Sequence, residues 1–256
     1  MKTLRFVVIV FVIVVTSSLS LADTEPQSNF GKDTAWPKPV EDDSSFTFIL
    51  ADLLEYQASA KPSFNWDLQA WHGGDINRLW VKTEGEKSVS ENQNVSADLQ
   101  VLYGRLITPF FDFQFGARAD QLSRESRKVT RGQLVVGVEG LAVYMYELEA
   151  LLFVSQKGDI SARVTASEDF LLTQRLISQV RIESNAALQR NEDFEVASGL
   201  NDASLDLRIR YEFRRELAPY IGVSWRNNLF ETASLREADG EQRSVLAAVV
   251  GLRSWY

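Results

Sequence analysis

The sequence predicts an all-β fold, a closed antiparallel transmembrane β-barrel of about 12 strands. Apolar and polar residues alternate along most of the chain after residue 45. The chain also begins with an export signal, and long and short connections separate the alternating segments. Because alternation with a period of two gives an extended strand one apolar and one polar face, these observations together favour strands that cross a membrane.

The first 22 residues have the organisation of a secretory signal peptide. Lys2 and Arg5 supply its positive charge. The ten apolar residues 6–15 are too few to cross a bilayer as a helix, which needs roughly 20. Ser20-Leu21-Ala22 forms a small-x-small cleavage site. We therefore predict that residues 1–22 are a cleaved signal peptide, with an uncleaved anchor as the alternative.

Residues 23–45 form a separate stretch with three prolines and the acidic run Glu41-Asp42-Asp43. It shows little apolar periodicity, so we predict a flexible periplasmic N-terminal segment. The barrel is predicted to occupy residues 46–256. After residue 22 no apolar run approaches the length of a transmembrane helix, and a membrane role must therefore come from strands.

The composition excludes several classes of function. Removing Lys2 and Arg5 with the signal leaves 25 basic and 35 acidic residues, a balance that argues against nucleic acid as a partner. The chain has no cysteine, which excludes disulfides and thiolate metal sites. Its 15 Phe, 7 Tyr and 6 Trp residues are enough for the aromatic girdles of a membrane barrel.

Twelve segments have the character of strands. The first is the least regular, and residues 51–55 within it could equally form a helical turn; the most regular include 111–120 and 203–213. The predicted strands are 47–57, 64–71, 78–84, 97–103, 111–120, 132–139, 144–154, 159–169, 175–186, 200–213, 218–227 and 244–256.

The connections between these strands alternate in length. Four are long and hydrophilic: residues 85–96, 121–131, 187–199 and 228–243. Those between them are short, as at 107–110. Long external loops and short periplasmic turns are typical of outer-membrane barrels, and the aromatic residue Tyr256 at the end of the last strand suits this class.

Alternation alone does not say which face of a strand is inside, since a water-soluble barrel or sandwich alternates as well. The polar face carries acidic and basic residues in near balance, which favours a closed lumen filled by cross-barrel ion pairs. Phe111, Phe113 and Phe115 are then expected to contact lipid. The predicted lumen-lining residues are Asp67, Arg78, Lys82, Asp98, Asp112, Arg118, Arg163, Arg181, Glu183, Asp206, Arg208 and Arg210.

Few residues could carry chemistry. The single histidine, His72, is expected in a tight turn before Gly73-Gly74, so a Ser-His catalytic arrangement would depend on it. We predict no catalytic residue and no enzyme, and keep a lipid-modifying enzyme as an alternative.

The candidate metal ligands are His72, Met145, Glu147 and Glu149. Alternation along the predicted strand 144–154 places Met145 on the lumen side, near the short-turn end where His72 also lies. The two residues could therefore approach one another. Ordinary packing of Met145, and pairing of the carboxylates with lumen arginines, are the alternatives.

The segment Gly73-Gly74-Asp75-Ile76-Asn77-Arg78-Leu79-Trp80-Val81-Lys82-Thr83-Glu84-Gly85-Glu86 resembles the outer-membrane copper-resistance protein B family. Further similar strings include residues 152–163 and 208–223, and the resemblance covers about residues 45–256. It implies a barrel in the cell outer membrane that binds copper or passes it across, with outer-membrane lipid, copper ions and periplasmic copper-handling proteins as partners.

The sequence departs from this family near its N-terminus. Members of the family often carry a Met- and His-rich segment before the barrel, whereas residues 23–45 contain neither Met nor His. Copper affinity based on such a segment therefore does not carry over, and any copper site falls to His72, Met145 and the lumen carboxylates. The alternative function is a general small-solute pore or a structural outer-membrane protein without metal selectivity.

Overall fold

A computed structural model describes residues 44–89, 94–124, 127–238 and 240–256. The predicted signal peptide and most of the predicted N-terminal segment lie outside these residues and stay predictions. Twelve strands form one closed sheet. They are β1 Phe46–Ala58, β2 Ser63–Gly73, β3 Asn77–Ser88, β4 Val95–Thr108, β5 Phe111–Arg124, β6 Arg127–Leu141, β7 Glu147–Ser155, β8 Ile160–Leu171, β9 Leu176–Ala187, β10 Gly199–Tyr211, β11 Leu217–Asn228 and β12 Ser244–Trp255.

Each strand pairs antiparallel with the next along the chain, and β1 pairs with β12 to close the barrel. Closure leaves these strands without a free edge, so their backbone groups are paired within the sheet as a membrane requires. The predicted fold class and all twelve predicted strands are confirmed. Even the irregular first segment is a strand, and its irregularity is a β-bulge between Ala51 and Leu54.

Several predicted strand ends differ from the structure by up to five residues, and two of these errors change the description of a connection. The strand predicted at 144–154 begins only at Glu147, since Val143–Met145 form a short 3₁₀ turn in which Tyr144 and Met145 have positive φ. The long connection predicted at 121–131 is mostly strand, because the β5–β6 ladder continues through the pair Gln121 and Thr130. The outward positions there are polar, as at Gln121 and Thr130, whereas the inward pair Leu122 and Val129 is apolar. The alternation with apolar residues outside therefore ends, although the backbone pairing continues.

The two faces of the barrel are distinct. On β5, Phe113 is 37% exposed on the outer face, whereas the next residue, Gln114, is 0% exposed. The same outward exposure of apolar side chains recurs around the barrel, as at Leu207 and Val223. The expectation that the alternating phenylalanines face outward is therefore met, and the outer surface is an apolar belt suited to lipid.

The inner face is not uniformly polar, contrary to the sequence-based expectation. A cluster of buried apolar side chains lies on it. On β3 and β7 these residues share the face of a charged lumen residue two positions away, as Trp80 does with Lys82 and Leu151 does with Glu149. The cluster consists of Trp80, Leu102, Val135, Leu151 and Phe153, with Trp71 packed against it.

The longest connections contain short helices. A 3₁₀ turn, Glu192–Phe194, lies between β9 and β10, and one α-helix, α1 (Phe230–Ala238), lies between β11 and β12. Thr232 of α1 accepts a hydrogen bond from the Ala197 amide, which ties the two connections together. No helix in the described ranges is long and apolar enough to span a membrane.

Candidate functional site in the barrel lumen

Ion pairs cross the interior of the barrel. The Lys82 ammonium on β3 lies 2.6 Å from Glu139 Oε2 on β6 and 2.5 Å from Glu149 Oε1 on β7. These strands are three and four places apart in the closed sheet. Side chains so far apart around the wall meet only through the lumen, so these contacts identify the inward face.

Two arginine bridges cross the same space. Arg163 Nη1 on β8 donates to Glu84 Oε2 on β3 at 2.7 Å. Arg181 Nη1 on β9 donates to Asp67 Oδ2 on β2 at 3.1 Å. Since each bridge joins opposite walls, the lumen at this level is crossed by charged side chains rather than left open.

The most enclosed charged group in the described lumen is the Glu55 carboxylate on β1, whose side chain is 1% exposed. Arg208 on β10 donates to it from Nε at 3.0 Å and from Nη2 at 3.2 Å. The Tyr220 hydroxyl and the Gln57 amide donate to it as well, at 3.1 Å and 2.9 Å. Such a carboxylate is retained in a buried position because charged and polar partners replace its water.

Gly251 on β12 makes room for this arrangement. The Tyr220 ring reaches from β11 across β12 toward β1, and a Cβ on Gly251 would lie 2.4 Å from its Cζ. Gly251→Ala is expected to displace Tyr220 from Glu55 and to destabilise the barrel by about 1–3 kcal/mol. Urea unfolding in lipid vesicles, followed by tryptophan fluorescence, measures this change.

The matched control is Gly132→Ala on β6, whose Cβ would meet only a flexible side-chain atom, Gln156 Oε1, at 3.4 Å. It is expected to leave the unfolding midpoint nearly unchanged. Equal midpoints for both variants would contradict the packing role of Gly251.

The structure places the remaining predicted lumen residues in further ion pairs on the inner face. Arg78 pairs with Asp112, and Arg118 pairs with both Asp98 and Asp120. Arg208 pairs with Asp206 in addition to Glu55. Arg210 pairs with Asp169, and Glu183 lies beside Arg163 and Arg181.

A cavity of about 320 Å³ lies among these groups. Its lining extends from Arg208 and Asp67 to Phe194 and Arg236 in the long connections, so it lies toward the long-connection end of the barrel. Carboxylates and arginines of β1–β5 and β8–β11 form most of its charged surface. Cations and anions entering the cavity therefore both meet groups of opposite charge.

The structure does not bring His72 and Met145 together. His72 faces outward near the end of β2, where its Nδ1 lies 2.8 Å from Thr47 Oγ1. Met145 is exposed in the β6–β7 turn rather than on the lumen side of a strand. Four interstrand steps of about 4.8 Å separate them, about 19 Å along the wall. Two ligands of one metal ion each lie about 2 Å from it, so these residues do not form a common site.

The two remaining metal candidates lie on β7. Glu149 pairs with Lys82, and Glu147 accepts a hydrogen bond from Ser167 at 3.1 Å. Among the residues that the structure describes, no group of three or more His, Asp or Glu side chains is arranged to hold a metal ion. Most carboxylates facing the lumen already have cationic partners, an arrangement suited to weak and exchangeable binding of a cation.

The motif that carried the family resemblance lines this lumen. Every second residue of this motif along β3 faces the lumen. These residues form the ion pairs and the cation–π contact of the inner face, and they are Arg78, Trp80, Lys82, Glu84 and Glu86. Sequence reasoning missed Glu55 and the apolar cluster. The bulge in β1 hid the first, and no signal separates inward from outward apolar residues on a strand such as β6.

A closed antiparallel barrel with an apolar outer belt and a charged interior defines the class of this protein, a transmembrane β-barrel of the outer-membrane type. Residues 45–256 match the family model described as Copper resistance protein B precursor (CopB). The chain belongs to this family.

Two curated relatives agree with this assignment. Copper resistance protein B of Escherichia coli is 38% identical over 218 residues, which cover 85% of this chain and 72% of the relative. The Copper resistance protein B homolog of Pseudomonas syringae pv. tomato (strain ATCC BAA-871 / DC3000) is 34% identical over 218 residues, with the same coverage.

Solved structures that resemble the chain include two porins. The KdgM porin aligns with a TM-score of 0.48 and 9% identity over 82% of this chain and 98% of its own. The NanC porin aligns with a TM-score of 0.49 and 11% identity over 82% of this chain and 99% of its own.

Proposed function

We propose that this protein contributes to copper resistance, without enzymatic activity, by letting copper ions bind transiently in the barrel lumen and cross the outer membrane. The observation that carries the proposal is the carboxylate-lined cavity inside a barrel of the copper resistance protein B family. Carboxylate oxygens bind Cu²⁺, and in this lumen each must first exchange an arginine or lysine partner for the ion. Such exchange favours passage over storage.

The proposed location is the outer membrane, reached through cleavage of the signal peptide at residues 1–22. In this orientation the short connections face the periplasm, as in other outer-membrane barrels. Periplasmic copper-handling proteins are the proposed partners at that end. His72 and Met145 also lie there, but their separation makes them unsuitable as a shared copper site.

A complementation experiment tests the proposal. Deletion of the gene is expected to change the copper concentration that inhibits growth and the copper content of the cells. The wild-type protein and the variant His72→Ala/Met145→Ala are both expected to restore the original values, because neither residue faces the lumen. Unchanged copper tolerance on deletion would contradict a role in copper resistance.

A second function, a general pore for small polar solutes, has one observation in its favour. The described lumen carries neither His nor Met, the side chains that would best distinguish copper from other cations. A general pore predicts that deletion also changes uptake of uncharged solutes such as small sugars. Uptake of a radiolabelled sugar, measured beside copper content in the same strains, distinguishes the two functions.

A further inference from the structure

Lys82 differs from the other cations that bridge the lumen. In the described residues, the bridges from β8, β9 and β10 to the opposite wall are all made by arginine. An arginine guanidinium holds a carboxylate in a fixed planar geometry, whereas a lysine ammonium is a compact charge on a flexible stem. Lys82 is thus the bridging cation that can most easily leave its partners.

We propose that Lys82 is a built-in counter-ion that fills a cation site made by Glu139, Glu149 and Gln114, and that a divalent metal ion crossing the lumen displaces it. This inference rests on the proposed passage of metal ions through the barrel. It specifies the site at which the ion binds and the residue, Lys82, that occupies this site when no metal ion is bound.

The site is compact and enclosed. The Lys82 Nζ lies within 2.6 Å of one oxygen of each carboxylate, and its side chain is 6% exposed. Gln114 Nε2 donates to Glu139 Oε2, the oxygen that Lys82 also contacts, at 2.6 Å. The oxygen of the same amide, Gln114 Oε1, is buried without a hydrogen-bond partner in the described protein. Lys82 makes no hydrogen bond to this oxygen, so it is available as a third ligand to a cation in the site.

The surroundings favour a cation at this point. The Lys82 ammonium lies 5.2 Å from the centre of the Trp80 ring, and Leu151 is buried two residues beyond Glu149. Apolar walls lower the local dielectric and so strengthen the attraction between the carboxylates and any cation between them. The apolar cluster beside the charged site thus strengthens the binding of a cation there.

Charge favours a divalent ion over a monovalent one. With Lys82 in place, two carboxylates and one ammonium carry a net charge of one negative unit. A divalent ion in place of the ammonium neutralises both carboxylates, and carboxylate and amide oxygens are ligands that hard divalent ions accept. A monovalent ion only replaces one positive charge by another, so it gains nothing over the tethered lysine.

Ion currents through the full chain in planar lipid bilayers test this inference. Lys82→Met is expected to raise the potassium conductance several-fold over wild type and to make the pore cation-selective. Added CuCl₂ is expected to block this current, since the freed carboxylates then hold the ion. The variant Lys82→Met/Glu139→Gln keeps the net charge of the wild-type site, so it provides the same test if Lys82→Met does not fold. Its potassium conductance should also rise, and CuCl₂ should block this current less strongly because one carboxylate is missing.

Lys157→Met is the matched control, because this lysine forms an exposed ion pair with Asp193 outside the lumen. It should behave as wild type. Equal potassium currents through the wild type and both Lys82 variants would overturn the inference, whether all three proteins conduct or none does. An increased current that is neither cation-selective nor blocked by copper would also overturn it. Measuring copper flux into vesicles distinguishes failure of this inference from failure of the proposed function. Equal copper flux through wild type and Lys82→Met overturns the counter-ion alone, whereas a potassium current without copper flux overturns the copper function alone.

Discussion

Replacing Glu55 with alanine is expected to lower the free energy of unfolding by about 3–5 kcal/mol. The change leaves Arg208, whose side chain is nearly fully enclosed, with Asp206 at 3.4 Å as its one charged partner among the residues that the structure describes. It also removes the acceptor of the Tyr220 hydroxyl and the Gln57 amide. The loss is large because the remaining charge stays in the interior without adequate compensation. Reversible urea unfolding in lipid vesicles provides the measurement.

Two comparisons isolate the effect of burial. Glu231→Ala breaks an exposed pair with Arg190, and it should cost at most about 1 kcal/mol. The triple variant Glu55→Gln/Asp206→Asn/Arg208→Met removes all three charges of this group, and should recover most of the stability lost in Glu55→Ala. If the triple variant is as unstable as Glu55→Ala, the cost does not come from the uncompensated arginine.

The sequence alone was sufficient for the number of strands and, on the strands that alternate regularly, for the assignment of their faces. On β10, apolar residues from Ala203 to Tyr211 occupy alternate positions, and the residues between them are charged or polar. A strand with lipid on one side and a polar lumen on the other must alternate in this way, so the alternation directly predicts which face contacts lipid.

Glu55 shows why the inner face could be predicted only in part. The bulge near Leu53 inserts one residue into β1, so both Asp52 and Glu55 face inward although their positions differ by an odd number. Strict alternation assigns one of them to lipid. A bulge depends on the register between neighbouring strands, which periodicity in a single strand does not contain.

The apolar cluster in the lumen was unpredictable for a different reason. On β6 the inward Val135 lies between the outward Leu134 and Val136, so both faces are apolar over this stretch. Whether such a residue meets lipid or packs against Leu151 and Phe153 depends on the face that the neighbouring strand β7 turns inward, which the sequence of β6 does not contain. Likewise, the position of Met145 followed from the turn that ends the β6–β7 ladder at the pair Leu141 and Glu147.

These interior features bear on function because they restrict the path through the barrel. Charged bridges cross the lumen, and the apolar cluster fills the wall beside Lys82. If ions pass through the lumen as proposed, they meet these bridges and exchange ion pairs in sequence. This behaviour suits a small ion with affinity for carboxylates better than a large neutral solute, which would have to break several bridges at once.

Leu207→Arg is expected to destabilise the barrel in a bilayer by about 2–4 kcal/mol, because it places a charge at mid-depth of the apolar belt. Leu207 faces outward on β10, and its partners on both neighbouring strands are the apolar residues Val180 and Val223. Thr130→Arg is the matched control. Thr130 is exposed in the β5–β6 hairpin near the end of the barrel, where an arginine reaches water, so its cost should stay below about 1 kcal/mol. Guanidinium unfolding in vesicles of defined lipid measures both variants. A similar small cost for both would mean that the outer face at Leu207 does not contact lipid, and would overturn the assignment of the two faces.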